Sequence, residues 1–194
     1  MPSIKPVLLE SHGVRLEPMA SHHSEGLFEI GQQADDWLYM PRPCFRSLAD
    51  TQAWVEDAMA LANKGTHISF TIIDNHTHRI AGSSRYLAIV PEHRRLEIGY
   101  TWIGQTYQRS HVNTATKLCL LSHAFETLGM VRVEFKADAR NTRSQQALLR
   151  LGATQEGVFR KHMTAQNEHI RDSVYFSIID DEWPELKARL ESKL

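Results

Sequence analysis

Leu96-Glu97-Ile98-Gly99-Tyr100-Thr101-Trp102-Ile103 leads, a few residues on, into Tyr107-Gln108-Arg109-Ser110-His111-Val112-Asn113-Thr114. The first segment is rich in β-branched and aromatic residues and reads as a strand. From Asn113 to Leu128 the apolar period changes. Leu118, Leu121, Phe125 and Leu128 fall on one helical face, and Gly129 ends the run. Val131 to Ala137 is again a strand. Asn141 to Leu151 is a helix, with Asn141 placed to cap it and Gly152 to stop it. A strand-helix-strand unit makes a crossover, so the parallel part of a sheet is expected around the Asn113–Leu128 helix.

Working outward, His67 to Asp74, Ile80 to Val90 and Leu96 to Ile103 form an antiparallel meander, turning at Asn75-His76-Thr77 and Pro91-Glu92-His93. Upstream, Val14 to Glu17 is a short strand and Ala20 to Gln33 a weak helix. Asp35 to Ser47 is an aromatic-rich loop, and Asp50 to Asn63 is a helix stopped by Gly65. Downstream, Val158 to Met163 and Val174 to Ile179 are two late strands, and Pro184 suits the first turn of a last helix. The order predicts an α+β fold: one domain over 1–194, with a mixed central sheet of about seven strands flanked by helices.

Composition narrows the classes. The 194 residues carry 22 Lys plus Arg against 23 Asp plus Glu, a net charge of −1, which argues against a nucleic-acid binder relying on bulk charge. Eleven histidines would turn the charge positive toward pH 6. With 42% hydrophobic residues, 10 glycines and 7 prolines, the chain is neither disordered nor of low complexity. No apolar stretch reaches membrane-span length, and Met1 to Glu10 lacks a signal-peptide block, so no membrane partner and a cytoplasmic setting are expected. Cys44 and Cys119 form no C-x-x-C motif. Ser192-Lys193-Leu194 spells the peroxisomal address and is read here as the end of a charged helix.

No P-loop, G-x-G-x-x-G or G-x-S-x-G is present. Tyr107 to Thr114 leaves a strand and enters a helix, and a helix N-terminus offers unpaired N–H groups and partial positive charge to a phosphate. Arg109, Ser110, Asn113 and Thr114 add donors; an ordinary capped helix behind an arginine would read the same way. Asp138-Ala139-Arg140-Asn141-Thr142-Arg143-Ser144 opens the next helix, so two polar caps are expected at one sheet edge, the usual ligand crevice.

Leu96 to Ile103, the Gln108 to Thr114 loop, and Asn141-x-x-Ser144 running to Leu151-Gly152-Ala153 together resemble the GNAT acyl-CoA transferase superfamily. Asn113-Thr114, Lys117, His123-Ala124-Phe125-Glu126 and Arg171 to Ile178 resemble the branch that contains the ribosomal-protein N-terminal (RimJ/RimL-type) acetyltransferases. The resemblance spans roughly 14–183. It implies acetyl-CoA as cosubstrate, no metal, and direct transfer of acetyl from the thioester to a primary amine. It implies that the Leu96–Ile103 strand splays from its neighbour and that the Trp102-Ile103 backbone holds the pantetheine arm. The backbone N–H groups of Arg109, Ser110, His111, Val112, Asn113 and Thr114 would hold the pyrophosphate, with Gln108 also in the cofactor site, and Asn141 would hydrogen-bond the pantetheine from the far side, with Ser144 nearby. Monomers or homodimers are usual for such proteins.

Two departures stand out. His111 occupies a position commonly held by glycine, where, if protonated, it would pair with a phosphate or else point to solvent. Leu148 stands where many relatives carry a tyrosine proton donor. A thiol of pKa roughly 8.5 is a tolerable leaving group without one. Glu97 is the candidate base and Tyr175 a candidate donor. Asp35, Asp36, Trp37 and Tyr39 are the candidate acceptor site, since carboxylates and aromatic faces suit a cationic amine. His22-His23 and His76-x-His78 lack a third ligand and read as surface histidines. The acceptor is a protein N-terminal amine or, alternatively, a small amine such as an amino acid, polyamine or antibiotic. A CoA-binding module without turnover is the alternative from another class.

Overall fold

The computed structural model describes residues 4–194. One sheet of eight strands runs in the order β1-β2-β3-β4-β5-β6-β8-β7. The strands are β1 (Leu9–Ser11), β2 (Val14–Pro18), β3 (Ile68–Asp74), β4 (Arg79–Val90), β5 (Arg95–Ile103), β6 (Arg132–Asp138), β7 (Thr154–Thr164) and β8 (Ile170–Ile179). The helices are α1 (Ser24–Ile30), α2 (Ala34–Trp37), α3 (Leu48–Asn63), α4 (His111–Ser122), α5 (Thr142–Leu151) and α6 (Trp183–Glu191). The strand beyond the expected seven is β1, joined to β2 through His12 and Gly13, both at positive φ. Three residues, two of them polar, give too short an alternation to read as a strand.

Two apolar layers hold the sheet. On one face Leu118, Leu121, Phe125, Trp183 and Leu186 pack onto Leu16, Phe70, Tyr86, Ile98, Phe135 and Phe176. On the other, Trp37, Phe45 and Trp54 close over Trp102. The second layer pins the Asp35–Ser47 segment, which holds the one-turn helix α2 rather than being all loop. Serine caps explain two earlier helix starts. Ser47 and Asp50 form a reciprocal capping box on α3, and the Ser110 hydroxyl accepts the Val112 N–H at the start of α4. Helix α4 passes into a π-turn over His123–Thr127. Among the described residues no helix is long and apolar enough to cross a membrane.

The parallel pair sits at the centre. Strands β5 and β6 pair only at Arg95↔Arg132, Leu96↔Val133 and Glu97↔Glu134. Beyond that point each stays paired on its outer side, β5 with β4 as far as Ile103 and β6 with β8 as far as Asp138. The two strands therefore part into a fork. A bulge helps open it: the β4–β5 register shifts between Ser83 and Arg85, and Tyr100 opposite takes φ 51°. Gly82 lets β4 approach closely there, because a Cβ at that position would overlap the Trp102 carbonyl oxygen.

Lys117 of α4 fills the fork from the core side. It is 7% exposed, donates to Thr101 Oγ1 at 2.8 Å, and lies 5.4 Å from the centre of the Phe135 ring. Burial lowers its ammonium from 10.5 to about 7. Between those values the unfolded chain binds a proton that the folded chain does not, so folding stability rises with pH, by roughly 1.4 kcal/mol per unit. Below about 7 and above about 10.5 the contribution is flat. Urea denaturation should show Lys117→Met losing this slope: wild type gains roughly 2–3 kcal/mol relative to the variant between pH 7 and pH 9. Parallel curves for the two proteins would contradict a buried, proton-shedding lysine.

Candidate active site

The fork carries a cluster of ionisable side chains from β5, β6 and β8. Glu97 stands at the last paired position before the fork. It is 3% exposed, and Lys136 Nζ of β6 lies 3.1 Å from its Oε2, so an ion pair spans the opening. Burial pushes the Glu97 carboxyl above the usual carboxylate range, and Lys136 opposes that rise. The carboxylate leans along β5 over Gly99, where a Cβ would come within 2.9 Å of Oε1. Tyr175 of β8 is the register partner of Lys136. Its hydroxyl is 3.4 Å from His162 Nε2, and burial raises its pKa.

Of the two residues expected to offer backbone to the pantetheine arm, only Ile103 faces the fork. The Gly104 N–H donates to the Ala81 carbonyl at 2.9 Å, and Gly82 is opposite Ile103. By the alternation of an antiparallel ladder, the Trp102 N–H and C=O then point to β4, and those of Ile103 point away from it. The Trp102 ring is buried against Trp37 and Trp54. Gln108 Nε2 donates both to Ile103 O at 2.9 Å and to Asp36 Oδ1 at 2.8 Å. The Gln108 side chain thus ties α2 to the end of β5.

The loop before α4 is shaped by Arg109, at φ 61°, and by Ser110, which donates to Tyr107 O at 2.6 Å. The Ser110 cap engages one of the orphan amides of the first turn, leaving those of Ser110, His111 and Asn113 without an intrahelical acceptor. Thr114 follows in the next turn. His111 does not simply point to solvent. Its ring turns back to Asp74, with Nε2 3.3 Å from Oδ1, and packs on His76 at 4.9 Å between centroids. Across the fork, Asn141 Oδ1 accepts the Ser144 N–H at 3.0 Å, as its capping position predicts.

The candidate acceptor segment needs correcting. Trp37 is 1% exposed and belongs to the aromatic layer, so it holds the segment instead of meeting a ligand. Asp35 is exposed. Asp36 is the structured carboxylate: besides Gln108, Arg143 Nη2 of α5 lies 3.7 Å from its Oδ1. The Tyr39 ring lies 5.6 Å from the Arg140 guanidinium, linking this segment to the loop after β6. Gln166, at the tip of the β7–β8 hairpin, brings Nε2 within 2.6–2.8 Å of the Trp37, Met40 and Arg42 carbonyls. It had no signal in the sequence beyond its place in a polar turn.

The His22-His23 pair does gain a carboxylate in space, and His23 is buried against it rather than at the surface; of the second pair His76 gains one and His78 does not. Glu17 lies with His22 and His23, and Asp74 with His76 and His111; His78 belongs to neither group. Both carboxylates have protein partners. Arg15 and His23 bond Glu17 at 2.7 and 3.0 Å, and the Thr77 N–H and hydroxyl bond Asp74.

Residues 14–154 match the model of the acetyltransferase (GNAT) domain family. The chain is 24% identical over 172 residues to the uncharacterized N-acetyltransferase YoaA of Bacillus subtilis, covering 89% of this chain and 96% of that one. It is 24% identical over 175 residues to the ribosomal-protein-serine acetyltransferase of Escherichia coli, covering 89% and 96%. Among solved structures, a putative acetyltransferase from T. thermophilus superposes with a TM-score of 0.89 at 34% identity, covering 98% of each chain.

Proposed function

The chain belongs to the GNAT acetyltransferase family, and from that premise we propose that it transfers acetyl directly from acetyl-CoA to an α-amine, that of a protein or peptide N-terminus. Acetyl-CoA, when bound, supplies the acetyl group as a thioester. The chain's own geometry suits it. The fork leaves the Ile103 N–H of β5 open to a carbonyl of a pantetheine arm, and the first turn of α4 offers unpaired N–H groups beside Arg109 to a pyrophosphate. Asn141 and Ser144 stand across the fork, with the Asn141 amide N–H groups left as donors by its cap.

The observation that carries the reading is Glu97, a buried carboxylate at the fork, raised by its surroundings and steadied by Lys136. Its role is to take the proton that the amine nitrogen sheds as the new C–N bond forms. Tyr175, kept protonated by burial, holds a proton at its hydroxyl for the departing thiolate, with His162 behind it. A weakly basic carboxylate matches an α-amine of pKa about 7.7–8.0, a fair share of which is neutral near pH 7.5. A lysine amine of about 10.4 is almost wholly protonated there.

The test is mass spectrometry of a peptide with a free N-terminal serine and an internal lysine, incubated with acetyl-CoA. One acetyl group on the α-nitrogen, with one free thiol released per acetyl, is expected. Acetyl on the lysine alone, or thiol release without peptide product, would overturn the α-amine assignment.

A further inference from the structure

Arg85 of β4 is a buried cation, 4% exposed, without a counter-ion among the described residues, and unlike buried Lys117 and Arg171 it has no hydrogen-bond partner either. Its guanidinium is held by ring faces alone, 4.4 Å from the centre of Tyr100 and 5.8 Å from that of Trp54. A guanidinium stays charged at any working pH, and burying one unpaired is costly unless something else supplies the anion.

That side chain lines a cleft of about 540 Å³ between α3, the Pro41–Pro43 segment and the sheet. Asp50 and Asp57 share the cleft. Asp50 is engaged by the Arg46 and Ser47 N–H groups, and Asp57 stands beyond ion-pair distance. In register Arg85 is opposite Gly99, over which the Glu97 carboxylate leans. The unpaired guanidinium and the candidate base therefore occupy neighbouring positions on one face. Arg42, which packs on Phe45 at 4.9 Å, adds a second cation at the mouth.

We propose that Arg85 binds a carboxylate of the acceptor, so that the preferred acceptor carries an anionic group a short distance from the amine to be acetylated. This rests on the transferase reading above and adds its substrate class. The carboxylate could be supplied by an acidic side chain near a peptide N-terminus or by the α-carboxylate of a free amino acid. Both would meet the same guanidinium, which forms paired, charge-assisted hydrogen bonds to a planar carboxylate.

Calorimetric titration of the whole protein tests this without turnover. Two matched pairs are used: the acetylated tripeptide amides Ac-Ser-Asp-Ala and Ac-Ser-Asn-Ala, and N-acetylserine with its amide. Wild type should bind the carboxylate member of one pair about 10- to 100-fold more tightly. The pair that discriminates identifies the source. Arg85→Gln should bind both members equally and Arg85→Lys should keep part of the preference, with the acetyl-CoA melting shift unchanged in both. Equal affinities within both pairs for wild type, or a preference that survives Arg85→Gln, would overturn the proposal. A wild type with no acetyl-CoA shift would strike the transferase reading instead, which keeps the two failures distinguishable.

Discussion

Glu97→Gln is expected to lower kcat about 10²- to 10⁴-fold while leaving acetyl-CoA binding intact. Glutamine keeps the shape of the side chain and can still fill the space over Gly99, but it cannot take a proton. The carboxylate is well placed to do so. It sits where β5 and β6 part, and burial has made it more basic than an exposed glutamate. The pH profile separates this role from a merely structural one. Wild-type kcat should fall at low pH as Glu97 becomes protonated, and that limb should vanish in Glu97→Gln. Lys136→Met provides an internal control. Removing the cation that opposes the rise should move the same limb to higher pH. An unchanged kcat in Glu97→Gln would remove this residue from the mechanism and leave it a strut between two strands.

Much of the frame can be read locally. The change of period after Ile103, the cap at Asn141, the first-turn proline Pro184, and the stops at Gly65, Gly129 and Gly152 all lie within a few residues of what they control, whereas the Ser47 cap that starts α3 early was not read. The parallel crossover follows from them, and the fork occurs where the family resemblance implied it. What escaped reading depends on distant partners. The Gln108 side chain bonds Asp36, 72 positions away, a tie that nothing near it in the sequence announces. His111 looked free until the end of β3 supplied Asp74 and His76. Trp37 resembled a recognition aromatic because aromatic residues in a polar segment serve either purpose, and only the layer formed with Phe45, Trp54 and Trp102 decides for packing. Lys117 and Arg85 were the least legible of all. Charged residues are normally solvated, and nothing in their neighbours along the chain announces that both are buried beside the fork.

The most direct test of the central claim, that the fork and the first turn of α4 form an acetyl-CoA site, is a thermal melt with and without acetyl-CoA. A ligand that binds one site on the folded chain at 100 times its Kd stabilises it by roughly 2.7 kcal/mol. For a chain of 194 residues that is a rise in Tm of roughly 5–10 °C. The rise should grow with the logarithm of ligand concentration and should weaken for Arg109→Ala, which lacks the cation beside the free amides. Dephospho-acetyl-CoA, which keeps the pyrophosphate and the pantetheine arm, should retain most of it. A rise of that size confirms the site. No shift at millimolar acetyl-CoA would contradict it, leaving a GNAT fold that does not hold its family's cosubstrate.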